Sequence, residues 1–555
     1  MEMVDFQEIR DLAEHEYARW KLNTAGDTEM QEELQKIEGN EEEIFDAFYT
    51  SIRFGTSGLR GILGPGTNRI NSYVIRRATQ GLSNYMKKNF KNPSCVVSYD
   101  SRKYSKTFAL ESARVFTANG IHTYIFRELT PVPVLSYAIR ELGCDIGVMI
   151  TASHNPKIYN GYKIFNRDGY QIVGEDPGKI LSEIDALDYF GNDIKTESKQ
   201  EAELVPNELR DRFIYTMRDS MPASDLKIMN QLKTIYTPLH GTGYKFVKAA
   251  FKANGYTNYD IVSIQENPDP NFPTCPVPNP EKIIAFDEGF RLLDQEQGDI
   301  IIATDPDSDR VGCALYHDGM RTLITGNQLG ILMLDYLCHF LPPKPGQFVF
   351  KSITTTPLVN KMAMKYGFRV VNTLTGFKYI GQLLTALEDA GRKDDFYFGF
   401  EESNSFLVRP FIHEKDGISG ALMIVKMAAF HKSQGKDMID RLSEIYDEFG
   451  ICKDKQRNYL FTGAEGKEKM EEIMNFLRDM PAEKFGEHRI SALTDYEKDN
   501  TGLPKSNALK FEFDDGSSMV IRPSGTESKI KIYSFETEDF RDVERAIVKI
   551  IEKFQ

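Results

Sequence analysis

Thr151-Ala152-Ser153-His154-Asn155-Pro156-Lys157-Ile158-Tyr159-Asn160-Gly161-Tyr162-Lys163 follows directly on the apolar run Ile146–Ile150, and the reading of the whole chain turns on this join. Five uninterrupted apolar residues bounded by turn formers predict a buried strand. Ser153 then falls on a loop at a strand end, where its hydroxyl can meet a ligand. The Asn155-Pro156 and Asn160-Gly161 pairs read as the turns that fold this loop, and His154 and Lys163 bring nitrogen donors to it. A serine hydroxyl among such groups suits covalent carriage of a phosphoryl group, because a phosphoserine dianion needs cationic neighbours. Most Ser-His neighbours are ordinary loop polars, so the stretch needs support from elsewhere.

Three further stretches supply it. Asp305-Pro306-Asp307-Ser308-Asp309-Arg310 lies between the apolar run at 300–303 and the strand-like run at 311–316. Three carboxylates at alternate positions of one short turn repel one another unless a cation lies between them. Oxygen donors of this kind suit a hard ion such as magnesium, which keeps positions open for phosphate oxygens. An EF-hand would need glycine sixth and glutamate twelfth, where this chain has Arg310 and Tyr316. A phosphatase with an aspartate nucleophile stays compatible with the triplet. Arg522-Pro523-Ser524-Gly525-Thr526-Glu527 joins a guanidinium, two hydroxyls and a glycine into a compact phosphate cradle. Gly399-Phe400-Glu401-Glu402-Ser403 follows the aromatic run at 396–398 and offers the acceptors that vicinal sugar hydroxyls need.

With these four stretches together, the chain resembles the α-D-phosphohexomutase superfamily of phosphoglucomutases and phosphomannomutases. The likeness begins at Phe54-Gly55-Thr56-Ser57-Gly58-Leu59-Arg60-Gly61 and ends at the 522–527 loop, covering nearly all of the chain except the first fifty residues. Tyr99-Asp100-Ser101-Arg102, Thr237-Pro238-Leu239-His240-Gly241-Thr242-Gly243, Pro268-Asp269-Pro270-Asn271-Phe272-Pro273-Thr274 and Thr373-Leu374-Thr375-Gly376-Phe377-Lys378 are similar to its longer, phosphoglucomutase-2-like branch. The resemblance implies an isomerase acting as an intramolecular phosphotransferase. Glucose 1-phosphate and glucose 6-phosphate would be its substrates, with glucose 1,6-bisphosphate as intermediate and activator. Phosphomannomutase or phosphopentomutase activity by the same route is the alternative. Ser153 would carry the phosphate, and magnesium would sit on Asp305, Asp307, Asp309 and a phosphate oxygen on Ser153. Arg60, Arg310 and Lys163 would add positive charge, and Lys163, with His154 nearby, is the candidate proton acceptor. Glu401, Ser403 and Lys378 would hold the sugar, and Arg522, Ser524, Gly525 and Thr526 the phosphate that is not reacting. Arg102 and Arg409 carry a weaker signal and are not assigned to the site. The chain departs from some bacterial relatives at Ser405, where they have histidine, and at His413-Glu414-Lys415-Asp416-Gly417.

The class the resemblance implies is α/β, with three similar mixed domains and a C-terminal α+β domain around a central cleft. Alternating strand-like and helix-like stretches argue independently for α/β units. We place a charged helical extension at 1–50, with its charges on a solvated face. Domains follow at 51–205 (phosphoserine loop), 206–325 (metal loop), 326–450 (sugar loop) and 451–555 (phosphate loop). At 555 residues the chain exceeds what one core can serve. Its net charge of −14 argues against nucleic acid as a partner and makes sugar phosphate binding depend on local cations. The six cysteines show no paired spacing, as expected of reduced thiols in the cytoplasm. The acidic start has no signal-peptide core, and no window is long and apolar enough to span a bilayer. A monomer is the expected state. Two readings from other classes stay testable: a magnesium-dependent phosphatase, whose catalysis would survive Ser153→Ala, and a non-catalytic sugar phosphate sensor, which would be expected to lack one of the four key residues.

Overall fold

The computed structural model describes residues 6–52, 55, 58–461, 466–480, 483–524 and 529–554. It divides into two compact units. The first comprises Met1–Met221, Lys233–Leu315 and Phe411–Leu422, and the second Pro222–Leu232, Tyr316–Pro410 and Met423–Gln555.

The first unit opens with helices at Phe6–Asn23, Thr28–Lys36 and Glu41–Phe48. Asp27 and Asn40 cap the second and third, each accepting a backbone N–H at the third helical position. Glu41, Glu42 and Glu43 are exposed, as expected, but the segment is more than a solvated extension. Trp20 is fully buried, its ring 5.5 Å from Tyr73, 5.4 Å from Tyr189 and 5.4 Å from Phe190. One indole buried in this way ties the helices to the body that follows.

That body is a six-stranded sheet of β1 (Gly58–Ile62), β2 (Ser94–Tyr99), β3 (His122–Ile125), β4 (Ile146–Ile150), β5 (Tyr159–Asn166) and β6 (Glu203–Leu204), in the order β1-β5-β4-β2-β3-β6. β2 runs parallel to β3 and β4, whereas β5 is antiparallel to both β1 and β4. Every residue of β4 is buried, which is why it reads as an unbroken apolar run. A second sheet contains β7 (Thr234–Thr237), β8 (Tyr259–Ile261), β9 (Ile300–Thr304) and β10 (Val311–His317), ordered β10-β9-β7-β8 within this unit. β9 and β10 are antiparallel with Thr304 opposite Val311, so the acidic stretch is the short connection between them.

β10 turns at Asp318 and Gly319, both at positive φ, into β11 (Met320–Ile324). The second unit holds β12 (Phe348–Ser352), β13 (Arg369–Thr373), β14 (Phe396–Glu401) and β15 (Ser405–Leu407), ordered β13-β12-β14-β15. Its C-terminal part is an antiparallel sheet of β16 (Lys453–Leu460), β17 (Lys484–Phe485), β18 (His488–Asp495), β19 (Leu509–Phe513), β20 (Ser518–Pro523) and β21 (Lys529–Glu536). The order is β16-β21-β20-β19-β18-β17. Helices Gly466–Asp479 and Arg541–Glu552 pack Leu477 and Ile547 against Phe511 and Ile530 in one core. Among the described residues no helix is long and apolar enough to cross a membrane.

Candidate active site

Ser153 sits one turn beyond β4, buried, with a φ of 53°. A serine in the left-handed region costs roughly 1–3 kcal/mol and persists only where its surroundings impose it. Here Arg102 imposes it. Its guanidinium, wholly buried, donates to the carbonyls of Ser153 at 2.5 Å, Pro156 at 2.9 Å, Tyr159 at 3.1 Å, and also Asn155. The Arg102 Nε lies 3.3 Å from the buried carboxylate of Asp100, whose pKa burial pushes up. Thr151 donates to that carboxylate at 2.6 Å and accepts the Ser153 N–H at 2.8 Å. Charge-assisted bonds to a buried fork are worth enough to outweigh the strain at Ser153.

The hydroxyl so placed donates to Asp305 Oδ2 at 2.7 Å and lies 3.1 Å from His154 Nδ1. Asp305, Asp307 and Asp309 are all buried, with ligand oxygens within 4.8 Å of one another. Burial and the charges of Asp307 and Asp309 raise the pKa of Asp305 well above the usual carboxylate range. Asp309 moves the other way: against the effect of burial, Lys163, Lys415 and Arg310 hold it well below that range. Lys163 Nζ donates to Asp307 at 2.7 Å and to Asp309 at 3.2 Å, and Lys415 Nζ lies 3.1 Å from Asp309.

The donor set fits a divalent cation. The second oxygens of Asp307 and Asp309 are buried without a hydrogen-bond partner among the described residues, an arrangement that a hard cation would satisfy. Lys415 is the residue that sequence reasoning missed: the signal lay in Glu414-Lys415-Asp416-Gly417, read only as a departure from relatives. Asp416 anchors that turn by accepting the N–H groups of Ile418 and Ser419, and burial pushes its pKa up to about 6. The Gly417 N–H donates to the Ser308 carbonyl at 3.0 Å, which brings Lys415 to the aspartates.

Arg60 projects from β1, with its Nη1 3.4 Å from the Asn155 side chain. Arg310 forms a close ion pair with Glu281. Two expectations need correcting. Asn160-Gly161 is not a turn, and Lys163 is not on a loop; all three belong to β5, whose Gly161 pairs with Arg60 and Lys163 with Gly58.

In the second unit, Glu401 ends β14 rather than lying on a loop, and it accepts the Gly376 N–H at 2.7 Å. It therefore ties the segment carrying Lys378, itself buried, to the strand. Glu402 is half-buried, its carboxylate accepting from Ser352 at 3.1 Å and Thr355 at 3.3 Å, and loss of solvent around the carboxylate raises its pKa. Ser403 and Ser405 place their hydroxyls 3.2 Å apart around Asn404, which has a φ of 57°. Arg522 lies within β20, and the Ser524 N–H donates to the Lys529 carbonyl at 2.8 Å. Gly525 and Thr526 lie outside the described residues.

Family models match three successive parts of the chain: phosphoglucomutase/phosphomannomutase α/β/α domain I at residues 51–190, domain II at 211–318 and domain III at 325–449. The chain belongs to the phosphoglucomutase/phosphomannomutase family. Phosphoglucomutase of Staphylococcus aureus (strain MRSA252) is 34% identical over 545 residues, covering 94% of this chain and 95% of the relative. Phosphoglucomutase of Staphylococcus epidermidis (strain ATCC 12228) is 34% identical over 521 residues, covering 90% and 94%. The fold is shared with a putative phosphomannomutase of Thermus thermophilus at a TM-score of 0.70 and 21% identity, over 91% of this chain and 99% of that one. It is shared too with the Paramecium phosphoglucomutase pp63/parafusin, at 0.65 and 19%, over 91% and 96%. Both the α/β class with three such domains and the fourth, β-rich domain agree with the family's fold.

Proposed function

We propose that this family member is a phosphoglucomutase that interconverts glucose 1-phosphate and glucose 6-phosphate through phosphoserine at Ser153 and a glucose 1,6-bisphosphate intermediate. The observation that carries the reading is the buried Ser153 hydroxyl on Asp305, in a nest of three aspartates and two lysines. Its support is the near full-length similarity to phosphoglucomutases.

Asp305, Asp307 and Asp309 would hold magnesium together with a phosphate oxygen on Ser153, and the ion would supply charge neutralisation during transfer. The chain's own residues do the rest. In the first transfer the bond from phosphorus to Ser153 Oγ breaks and one from phosphorus to the sugar's free hydroxyl oxygen forms. Lys163, in its neutral amine form and with His154 beside Ser153, accepts the proton that hydroxyl gives up and passes it on to the departing Ser153 Oγ. Lys415, Arg310 and Arg60 hold fixed positive charge near the transferred group. The bisphosphate then presents its other phosphate to Ser153, and a second transfer restores phosphoserine and leaves the isomeric monophosphate. Glu401, Ser403 and Lys378 read the sugar, and Arg522, Ser524, Gly525 and Thr526 hold the idle phosphate. A cytoplasmic setting is supported by six buried cysteines, all of them free thiols.

Ser153→Ala tests the reading. Mutase turnover of glucose 1-phosphate should fall by a factor on the order of a million, as when a covalent nucleophile is removed. Phosphate release from glucose 1-phosphate that survives the substitution would favour a phosphatase with an aspartate nucleophile. Comparing glucose 1-phosphate, mannose 1-phosphate and ribose 1-phosphate, each with its bisphosphate, tests the substrate. Conversion of the pentose alone would overturn the glucose assignment.

A further inference from the structure

A cleft of about 340 Å³ lies in the first unit, away from the aspartates, between the 126–130 loop, the start of helix Gly243–Ala253 and the 205–210 segment. Its volume is that of a small-metabolite site. Three cations line it, one from each wall: Arg127, Arg210 and Lys245. Set against them in the cleft is one carboxylate, Glu128, which forms a close ion pair with Lys245. That contact comes first among the causes that hold the Glu128 pKa down, opposed by burial and aided by the charges of Arg210 and Arg127. Arg210 also meets Asp211 at 3.1 Å, outside the cleft lining. In a chain of net charge −14, three cations converging on a cavity form a local anion trap, with Glu128 in the place an incoming anion would take. The floor is apolar: Val134, Val205 and Phe246 are buried and Phe126 is half-buried.

Both long walls run into the acidic loop. After Thr130, whose N–H donates to the Tyr99 carbonyl, the Val132 N–H donates to the Asp307 carbonyl at 2.9 Å. At the head of the Gly243–Ala253 helix, the Thr242 N–H donates to the Pro306 carbonyl at 2.8 Å, and the Thr242 and Ser308 hydroxyls are 3.0 Å apart.

We infer that this cleft binds a small organic dianion, a phosphomonoester or dicarboxylate with a compact apolar body, and that its occupancy alters turnover through the Pro306–Ser308 backbone. A dianion outcompetes the monocarboxylate of Glu128 for the same cations, because each charge-assisted contact to arginine is strengthened by the second negative charge. The apolar body covers Phe246 and Val205. Nothing in this requires the sugar phosphate site.

The test is calorimetric titration of phenyl phosphate, and separately of phthalate, into Ser153→Ala protein saturated with glucose 6-phosphate. The two probes separate the phosphomonoester from the dicarboxylate source. One additional equivalent should bind. Arg210→Gln and Lys245→Gln should each weaken it about tenfold, the effect of losing one charged contact. Glu128→Gln should tighten it, since the internal competitor is gone. No binding by either probe, or binding that ignores all three substitutions, overturns the site. These variants decide the question whatever sugar phosphate Ser153 serves. For the coupling, kcat of the unmodified enzyme at saturating glucose 1-phosphate and fixed free magnesium should change on adding the tighter probe. An unchanged kcat overturns it.

Discussion

Arg102 shows how much one side chain can do without touching a substrate. Four main-chain carbonyls of the Ser153 loop converge on its guanidinium, and Phe272 lies against its face at 5.2 Å. Lysine offers three donors from a single point and cannot reproduce the fork. Arg102→Lys should therefore leave at least one carbonyl without its donor and release Ser153 from its positive φ. We expect kcat to fall about a hundredfold with KM nearly unchanged, because a misplacement near 1 Å costs roughly that much. Stability should drop by about 1–3 kcal/mol, the cost of leaving a buried carbonyl without its hydrogen bond. Steady-state kinetics and urea unfolding report the two effects, and wild-type kcat in this variant would show that the loop keeps its shape unaided. The sequence offered little notice of Arg102. Its partners are backbone carbonyls, which carry no residue identity and only converge in the folded chain. Ser153 and the three aspartates were legible for the opposite reason: their chemistry lies in their own side chains, at strand ends that apolar runs announce.

Strands were read best where burial on both faces left an unbroken apolar run, as in β4 and β9. The reading failed where a residue had two possible reasons to be present. Gly161 was taken for a turn glycine, yet it lies in the middle of the sheet. A Cβ there would come within 2.6 Å of the Leu59 carbonyl and 2.7 Å of the Thr151 carbonyl, so close backbone approach, not turn geometry, calls for glycine. The N-terminal helices were legible as helices, but not as docked ones, because the rings that receive Trp20 lie up to 170 residues away. Gly326, first residue of helix Gly326–Phe340, is a case with a functional consequence. A Cβ there would collide with the Glu402 carbonyl and approach the Asn404 N–H at 2.6 Å. Neither is a flexible side chain that could swing away. Gly326→Ala should thus push the 402–404 turn off its position, with a cost of about 1–3 kcal/mol as for other overpacked sites. If that turn reads the sugar, the cost appears in kcat/KM for glucose 1-phosphate as a loss of about ten- to a hundredfold. Turnover of pre-formed phosphoserine by water, which needs no sugar, should stay the same. Equal losses in both reactions would place the fault in general unfolding.

At the scale of the whole molecule, the buried ionisable groups outside the aspartate nest set how stability follows pH. Burial lowers the pKa of Lys351 to about 7, with Lys510 lowering it further and Glu402 and Cys452 opposing. It also lowers Lys426 to about 8 and His431 to about 4, and raises Asp416 to about 6. A group whose charged form is disfavoured in the fold destabilises it wherever that form would be the unfolded chain's choice. His431 is relieved as pH rises from about 4 to 6.5, a gain of about 3 kcal/mol. Asp416 is burdened over nearly the same window, from 3.8 to about 6, a loss of about 3 kcal/mol, so the two cancel. Lys351 and Lys426 act together and in one direction: both are charged in the unfolded chain up to about pH 10.5, and both are relieved as pH rises above their folded values. The two lysines should therefore add stability from about pH 7 to 9.5, Lys351 alone about 3 kcal/mol, while the six buried cysteines, whose thiols burial pushes up, take stability away above about pH 8.5. Lys351→Met isolates that share. Among the described residues the ammonium donates to the Thr355 carbonyl, at 3.1 Å, and an apolar chain of similar length fits the same space. Urea unfolding followed by circular dichroism should find the variant more stable than the parent at about pH 7, and its gain between about pH 7 and 9.5 smaller by about 3 kcal/mol. Parallel curves for the two proteins would mean that Lys351 keeps its proton in the fold, held by partners stronger than a single carbonyl.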